Sequence, residues 1–217
     1  LNGFLLRTES EHDCYGAGHA GTALSAALGM ASARDLKEED SHVVAVAGDA
    51  AFTCGPTLEA LNNIEHTTKR LIVVLNDNEW SIDRNVGALA KYFNALQTHP
   101  MFSSVRHKAS EFVGKIGGDT VRKFAHKVER NTKNLLVPNV LFEKFGLHYY
   151  GPIDGHDLPL LIRTFEHLKT QDQPVILHII TEKGRGYKPA LENPGKFHGL
   201  GTYKIEDGST AAGVNPT

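Results

Sequence analysis

Three short runs of apolar residues punctuate the chain: Val43–Ala47, Leu71–Leu75 and Val175–Ile180. Each is continuously apolar rather than alternating, as expected of strands covered on both faces. The segments between them change period. Leu24, Ala27, Leu28 and Ala31 fall at helical spacing within residues 19–34. Leu58 and Leu61 share a face within 56–66, and Leu161, Phe165 and Leu168 do so within 158–171. Strand–helix alternation of this kind predicts an α/β fold, an open and mostly parallel sheet with helices on both faces. Residues 84–135 follow neither period, and they are expected to form a basic, mobile insertion or flap over a phosphate site.

Composition narrows the function classes. The chain has 217 residues, 41% hydrophobic and 22% charged, enough for a real core. A formal charge of −2 gives no global pull toward nucleic acid or an anionic membrane surface. Residues 106–133 carry eight Lys/Arg against three Asp/Glu, but no nucleic-acid recognition motif accompanies them. No apolar run approaches the ~20 residues of a membrane helix. Cys14 and Cys54 read as two free thiols of a reducing, cytoplasmic compartment, and no Cys/His cluster points to zinc. The chain opens LNGFLLRTES without an initiator Met and closes on the polar IEDGSTAAGVNPT. Residues 1–204 are therefore expected to be one domain of a longer protein, with 205–217 a linker toward a second domain.

The stretch CYGAGHAG carries Gly16, Gly18 and Gly21 in the G-x-G-x-x-G spacing of dinucleotide-binding turns. Such a turn follows a buried strand, whereas ESEHDCY is polar and charged. An acidic cluster, Glu38–Asp40, lies at a suitable distance but within a solvated connection. Two readings remain. The glycines allow tight packing, or the backbone amides of Gly18–Ala20 face a different phosphate at a helix N-terminus.

A second pattern is more telling. VVAVAGDAAFTCGPTLEALNN runs from strand through Gly-Asp to helix, and Asn78 lies 29 residues beyond Asp49 in LIVVLNDNEWSI, again at a strand end. Alone, Asp49 reads as a helix cap and NDNE as a turn. On neighbouring parallel strands, the two side chains would share the crevice where open α/β sheets bind ligands. The Asp49 carboxylate, the Asn78 amide oxygen and the Trp80 carbonyl are hard oxygen donors suited to Mg²⁺ and a diphosphate.

These stretches, with SEHDCYGAGHAGTALSAALGMA, LFEKFGLHYYGPIDGHDLPLLI, HIITEKGRGYKPA and NPGKFHG, resemble the 1-deoxy-D-xylulose-5-phosphate synthase family of transketolase-like enzymes. The likeness runs in order over nearly all of residues 7–200, and YYGPIDGHD and KGRGYKPA are its most specific parts. It implies a thiamine diphosphate-binding fold and a transferase that condenses pyruvate with D-glyceraldehyde 3-phosphate, losing carbon dioxide. That reaction feeds isoprenoid, thiamine and pyridoxal synthesis. The resemblance also implies a homodimer for the full-length protein. By position, Asp49, Asn78 and the Trp80 carbonyl would ligate Mg²⁺. Gly18, His19, Ala20, Ala50 and Ala51 would line the diphosphate, with Asn78 touching it too. Ile82 and Tyr187 would contact the cofactor, and His198 and His19 would be catalytic. His156 is expected to cap the following helix or order its corner. Arg185 is expected to meet a phosphate or a carboxylate.

Two positions depart from the family pattern. Ala50 stands where the family has Gly, and Ala20 where it has Ser. A methyl at 50 crowds a backbone approach to the diphosphate, and Ala20 removes a hydroxyl donor, a change of about 1.5–3 kcal/mol for a charged partner. The segments carrying the family's other histidine and its cofactor-activating glutamate have no counterpart here. The chain is accordingly expected to be inactive alone. A degenerate non-catalytic module and the small subunit of a split transketolase are the alternatives.

Overall fold

The computed structural model describes residues 3–11, 13–78 and 138–210. Trp80, Ile82, the 84–135 insertion and residues 211–217 lie outside them. The described elements run α1 (Ala23–Leu36), β1 (Val44–Gly48), a 3-10 turn (Asp49–Thr53), α2 (Gly55–Thr67), β2 (Ile72–Asp77), α3 (Pro138–Lys144), β3 (His148–Asp154), α4 (Leu158–Leu168), β4 (Val175–Ile180), α5 (Lys188–Glu192) and a second 3-10 turn (Lys196–His198).

The strands form one sheet in the order β1-β2-β4-β3, every pair parallel. The two chain halves enter it from opposite sides. β1 reaches β2 through α2, and β3 returns to β4 through α4, so the halves meet at the central β2/β4 pair. Parallel crossovers keep one hand, so crossovers running in opposite directions place their helices on opposite faces. The core shows this directly. Val73, Leu75 and Ile176 face Leu24, Ala27, Leu28 and Ala31 of α1 and Ala60, Leu61 and Ile64 of α2. The alternate residues Ile72, Val74, Val175 and Leu177 face Leu161, Phe165 and Leu168 of α4. The predicted α/β sheet with helices on both faces is thus the observed one.

Local departures have physical causes. β1 was expected to be covered on both faces, yet Val44 is 46% and Val46 60% exposed while Ala45 and Ala47 are buried. Among the described residues β1 is covered on one face only. α1 begins at Ala23, not near His19, because the Thr22 hydroxyl bonds the His19 carbonyl at 3.2 Å and closes a turn ahead of the helix. α4 starts where Asp157 caps it, its carboxylate accepting from the Leu160 N–H at 3.0 Å, with Pro159 in the first turn. β3 escaped the hydrophobic pattern because HYYGPID is half polar and broken by Gly-Pro. It pairs with β4 across a register shift between Tyr150 and Ile153. Gly151 allows this, since a Cβ there would sit 2.4 Å from the His178 carbonyl oxygen.

Candidate functional site

Among the described residues, Asp49 and Asn78 stand at the carboxyl ends of β1 and β2. Parallel pairing aligns Gly48 with Asn76, so Asp49 and Asn78 leave the sheet side by side. Asp49 is only 5% exposed and opens the 3-10 turn, followed by the half-buried Ala50 and Ala51. Asn78 is half-buried directly after β2. Ala50 has no positive φ, so its conformation does not require glycine. Its carbonyl accepts from the Thr53 hydroxyl at 2.8 Å.

The glycine turn packs against this segment. No strand precedes it among the described residues, only an isolated bridge between Leu5 and Ala17, which removes the dinucleotide reading. Gly21 has φ +78°, and a Cβ there would lie 2.4 Å from the Cβ of Cys54. The Thr57 hydroxyl donates to the Gly21 carbonyl at 3.0 Å. Gly21 therefore serves tight packing, while Gly18, His19 and Ala20 stay exposed in the turn ahead of α1. Neither Cys14 nor Cys54 forms a disulfide.

The segment after β4 completes the cluster. The Lys183 ammonium hydrogen-bonds Nδ1 of His198. Partial desolvation pushes Lys183 below the usual amine range, and the Asp49 carboxylate opposes that shift. Partial desolvation and then the Lys183 charge push His198 below its ordinary value, favouring the neutral ring. Because Lys183 donates to Nδ1, neutral His198 carries its proton on Nε2. The structure thus links Asp49, Lys183 and His198. The Tyr187 ring meets Phe197 edge-on at 5.7 Å, and its hydroxyl donates to the Lys204 carbonyl at 3.4 Å. Residues 203–210 fold back here, with Tyr203 bridging Thr210.

His156 does not cap α4, since Asp157 does. It orders the corner instead, its Nε2 accepting from the Glu182 N–H at 2.8 Å. Arg185 lies 3.7 Å from the Glu182 carboxylate, the carboxylate alternative.

The model of the 1-deoxy-D-xylulose-5-phosphate synthase family matches residues 1–181. The chain belongs to the 1-deoxy-D-xylulose-5-phosphate synthase family. It is 59% identical over all 217 residues to the synthase of Methylacidiphilum infernorum, covering 34% of that protein, and 59% identical to that of Acidobacterium capsulatum, covering 35%. Against the synthase of Desulforudis audaxviator it is 48% identical over 97% of this chain and 33% of the relative. The chain therefore spans about a third of the length of the curated relatives it matches. Among the described residues, no helix is long and apolar enough to cross a membrane.

Within this family member, sequence reasoning missed Lys183 although it lies in the KGRGY stretch, and attention went to Arg185. It also missed Asp77, His178 and Thr181, which lie within or just beyond apolar runs. Asp77 is 1% and His178 2% exposed, and they bond to each other at 3.0 Å. The Thr181 hydroxyl donates to Oδ1 of Asn76 at 2.6 Å. The one available signal was the presence of ionisable residues in runs otherwise apolar.

Proposed function

We propose that this chain is the magnesium- and diphosphate-binding part of a thiamine diphosphate-dependent synthase. The whole protein would condense pyruvate with D-glyceraldehyde 3-phosphate with loss of carbon dioxide, as a cytoplasmic homodimer. The observation that carries the reading is that Asp49 and Asn78 stand just beyond the carboxyl ends of paired parallel strands, with the bonded Lys183–His198 pair within electrostatic range of Asp49.

The residues fit the group. A buried carboxylate and an amide oxygen supply the hard donors that Mg²⁺ takes alongside phosphate oxygens, and the Trp80 carbonyl would add a third. Gly18, His19, Ala20, Ala50 and Ala51 would offer backbone amides to the diphosphate, and Lys183 adds positive charge next to it. Ile82 and Tyr187 would hold the rest of the cofactor. When bound, thiamine diphosphate supplies a nucleophilic carbon and an electron sink for decarboxylation. His198, neutral with a proton on Nε2, is suited to donating a hydrogen bond from Nε2 to a substrate or cofactor oxygen, and His19 would be its companion. Ala50 has no positive φ, so alanine is compatible with the backbone there.

Pyruvate-dependent carbon dioxide release tests the reading. The isolated chain should show none. Substituted for the matching third of the Methylacidiphilum infernorum relative, the chain should restore it, and Asp49→Ala should abolish it again. Turnover by the isolated chain, or a folded chimera that is inactive, would contradict the proposal.

A further inference from the structure

Near the carboxyl ends of the strands lies a run of buried and half-buried groups that the reading above leaves without a role. Phe52, 1% exposed, sits in the 3-10 turn that opens with Asp49. Its ring meets Phe142 of α3 edge-on at 6.0 Å. Phe142 stacks on Tyr149 of β3 at 6.1 Å, with ring planes 13° apart. The Tyr149 hydroxyl bonds Nδ1 of His178 on β4 at 2.7 Å, and Nε2 of His178 bonds Oδ2 of Asp77 at 3.0 Å. Asp77 is the last residue of β2 and directly precedes Asn78. The run therefore joins the two segments that bear the candidate ligands, passing behind the sheet through three strands and a helix.

Packing alone does not explain this chemistry. A carboxylate and an imidazole buried beside Leu75 and Ile176 lose hydration, and apolar residues of the same shape often match or exceed such a group in stability. What a polar run adds is direction. The ring contacts set a distance, and the hydrogen bonds set an angle. The end of β2 is held from its other side as well. The Thr181 N–H donates to the Asp77 carbonyl at 2.9 Å, and its hydroxyl donates to Asn76. Mg²⁺ requires near-ideal octahedral geometry, so a small displacement of one ligand against the other weakens it.

We propose that the Phe52–Phe142–Tyr149–His178–Asp77 run is a brace that fixes the separation of Asp49 and Asn78 for a divalent cation, with Tyr149 and His178 as positioning residues. This rests on the metal–diphosphate reading of the site.

The test is a calorimetric titration of Mg²⁺ at fixed thiamine diphosphate, using the 217-residue chain and its Tyr149→Phe variant. That substitution keeps the ring and removes one oxygen. The Mg²⁺ concentration for half-maximal cofactor binding should rise about tenfold, while cofactor affinity at saturating Mg²⁺ returns to within about twofold of the unsubstituted chain. Phe142→Leu, which removes the stacked ring instead, should shift the same midpoint in the same direction. Unchanged midpoints, or losses that saturating Mg²⁺ does not restore, would overturn the brace. Absence of Mg²⁺-dependent binding by the unsubstituted chain would overturn the site reading, and the brace with it.

Discussion

The two ends of the sheet use buried charge in opposite ways. At the amino ends of β1 and β2, Arg34 is 2% exposed and bonds Asp35 through Nε and Nη2 at 3.0 and 2.8 Å. It also donates to the Ser41 and Arg70 carbonyls at 3.1 and 2.6 Å and to the Thr68 hydroxyl at 3.2 Å. Asp35 in turn accepts from that hydroxyl at 2.7 Å and from the Lys69 N–H at 3.0 Å. This cluster closes on itself and on backbone carbonyls, tying the end of α1 to the starts of two strands. At the carboxyl ends, Asp49, Asn78, Lys183 and His198 come from three separate segments and gather where parallel sheets bind ligands. A buried arginine with satisfied partners ties a fold together. Polar and ionisable groups drawn from several strand ends compose the site proposed above.

Arg34→Met should break the first cluster and cause the largest loss of stability, about 3 kcal/mol, because it strands Asp35 and two carbonyls. Chemical denaturation would measure it, and Mg²⁺-dependent cofactor binding by the folded variant should be unchanged. Gly21→Ala comes next, at about 2 kcal/mol, from its positive φ and the contact with Cys54. Adding Cys54→Ala should recover part of that loss, the steric part, in a double-mutant cycle.

Asp35 sharpens the comparison through pH. Burial raises its carboxyl, but hydrogen bonds from Thr68, Lys69 and Arg34 outweigh this and hold it below the usual value. A group depressed in the folded state adds stability that is present above the unfolded value and lost as pH falls through the folded one. Asp35→Asn should therefore flatten the acid limb of the stability profile below about pH 4. The smallest effect belongs to the other end. Lys183→Met should raise the His198 titration midpoint only part of the way to its ordinary value, since desolvation is the larger cause and remains. Proton-detected histidine titration would show it.

How far these features could be read from the sequence followed their physics. β4 matched its apolar run from Val175 to Ile180, and β1 and β2 were found within two residues at each end, because continuous apolar runs are what buried parallel strands require. β3 was invisible to that pattern, being half polar and interrupted. Asp49 and Asn78 were legible because strand ends and oxygen donors are both sequence features. Arg34, Asp77 and His178 were not, because each has a partner far away in sequence, Thr68 for Arg34 and the other of the pair for Asp77 and His178, and only the fold brings them together. The placement of Lys183 depended on the turn after β4, which no periodicity encodes. Ala50 shows the reverse case. Its departure from the family pattern was legible at once, and the fold adds that its φ is not positive, so the backbone there does not itself require glycine.

The most direct test of this contrast is a calorimetric titration of the chain with thiamine diphosphate, with and without Mg²⁺, beside Asp49→Ala and Arg34→Met. The account predicts Mg²⁺-dependent binding that Asp49→Ala abolishes without loss of thermal stability and that folded Arg34→Met retains. Metal-independent binding, or binding that survives Asp49→Ala, would contradict it.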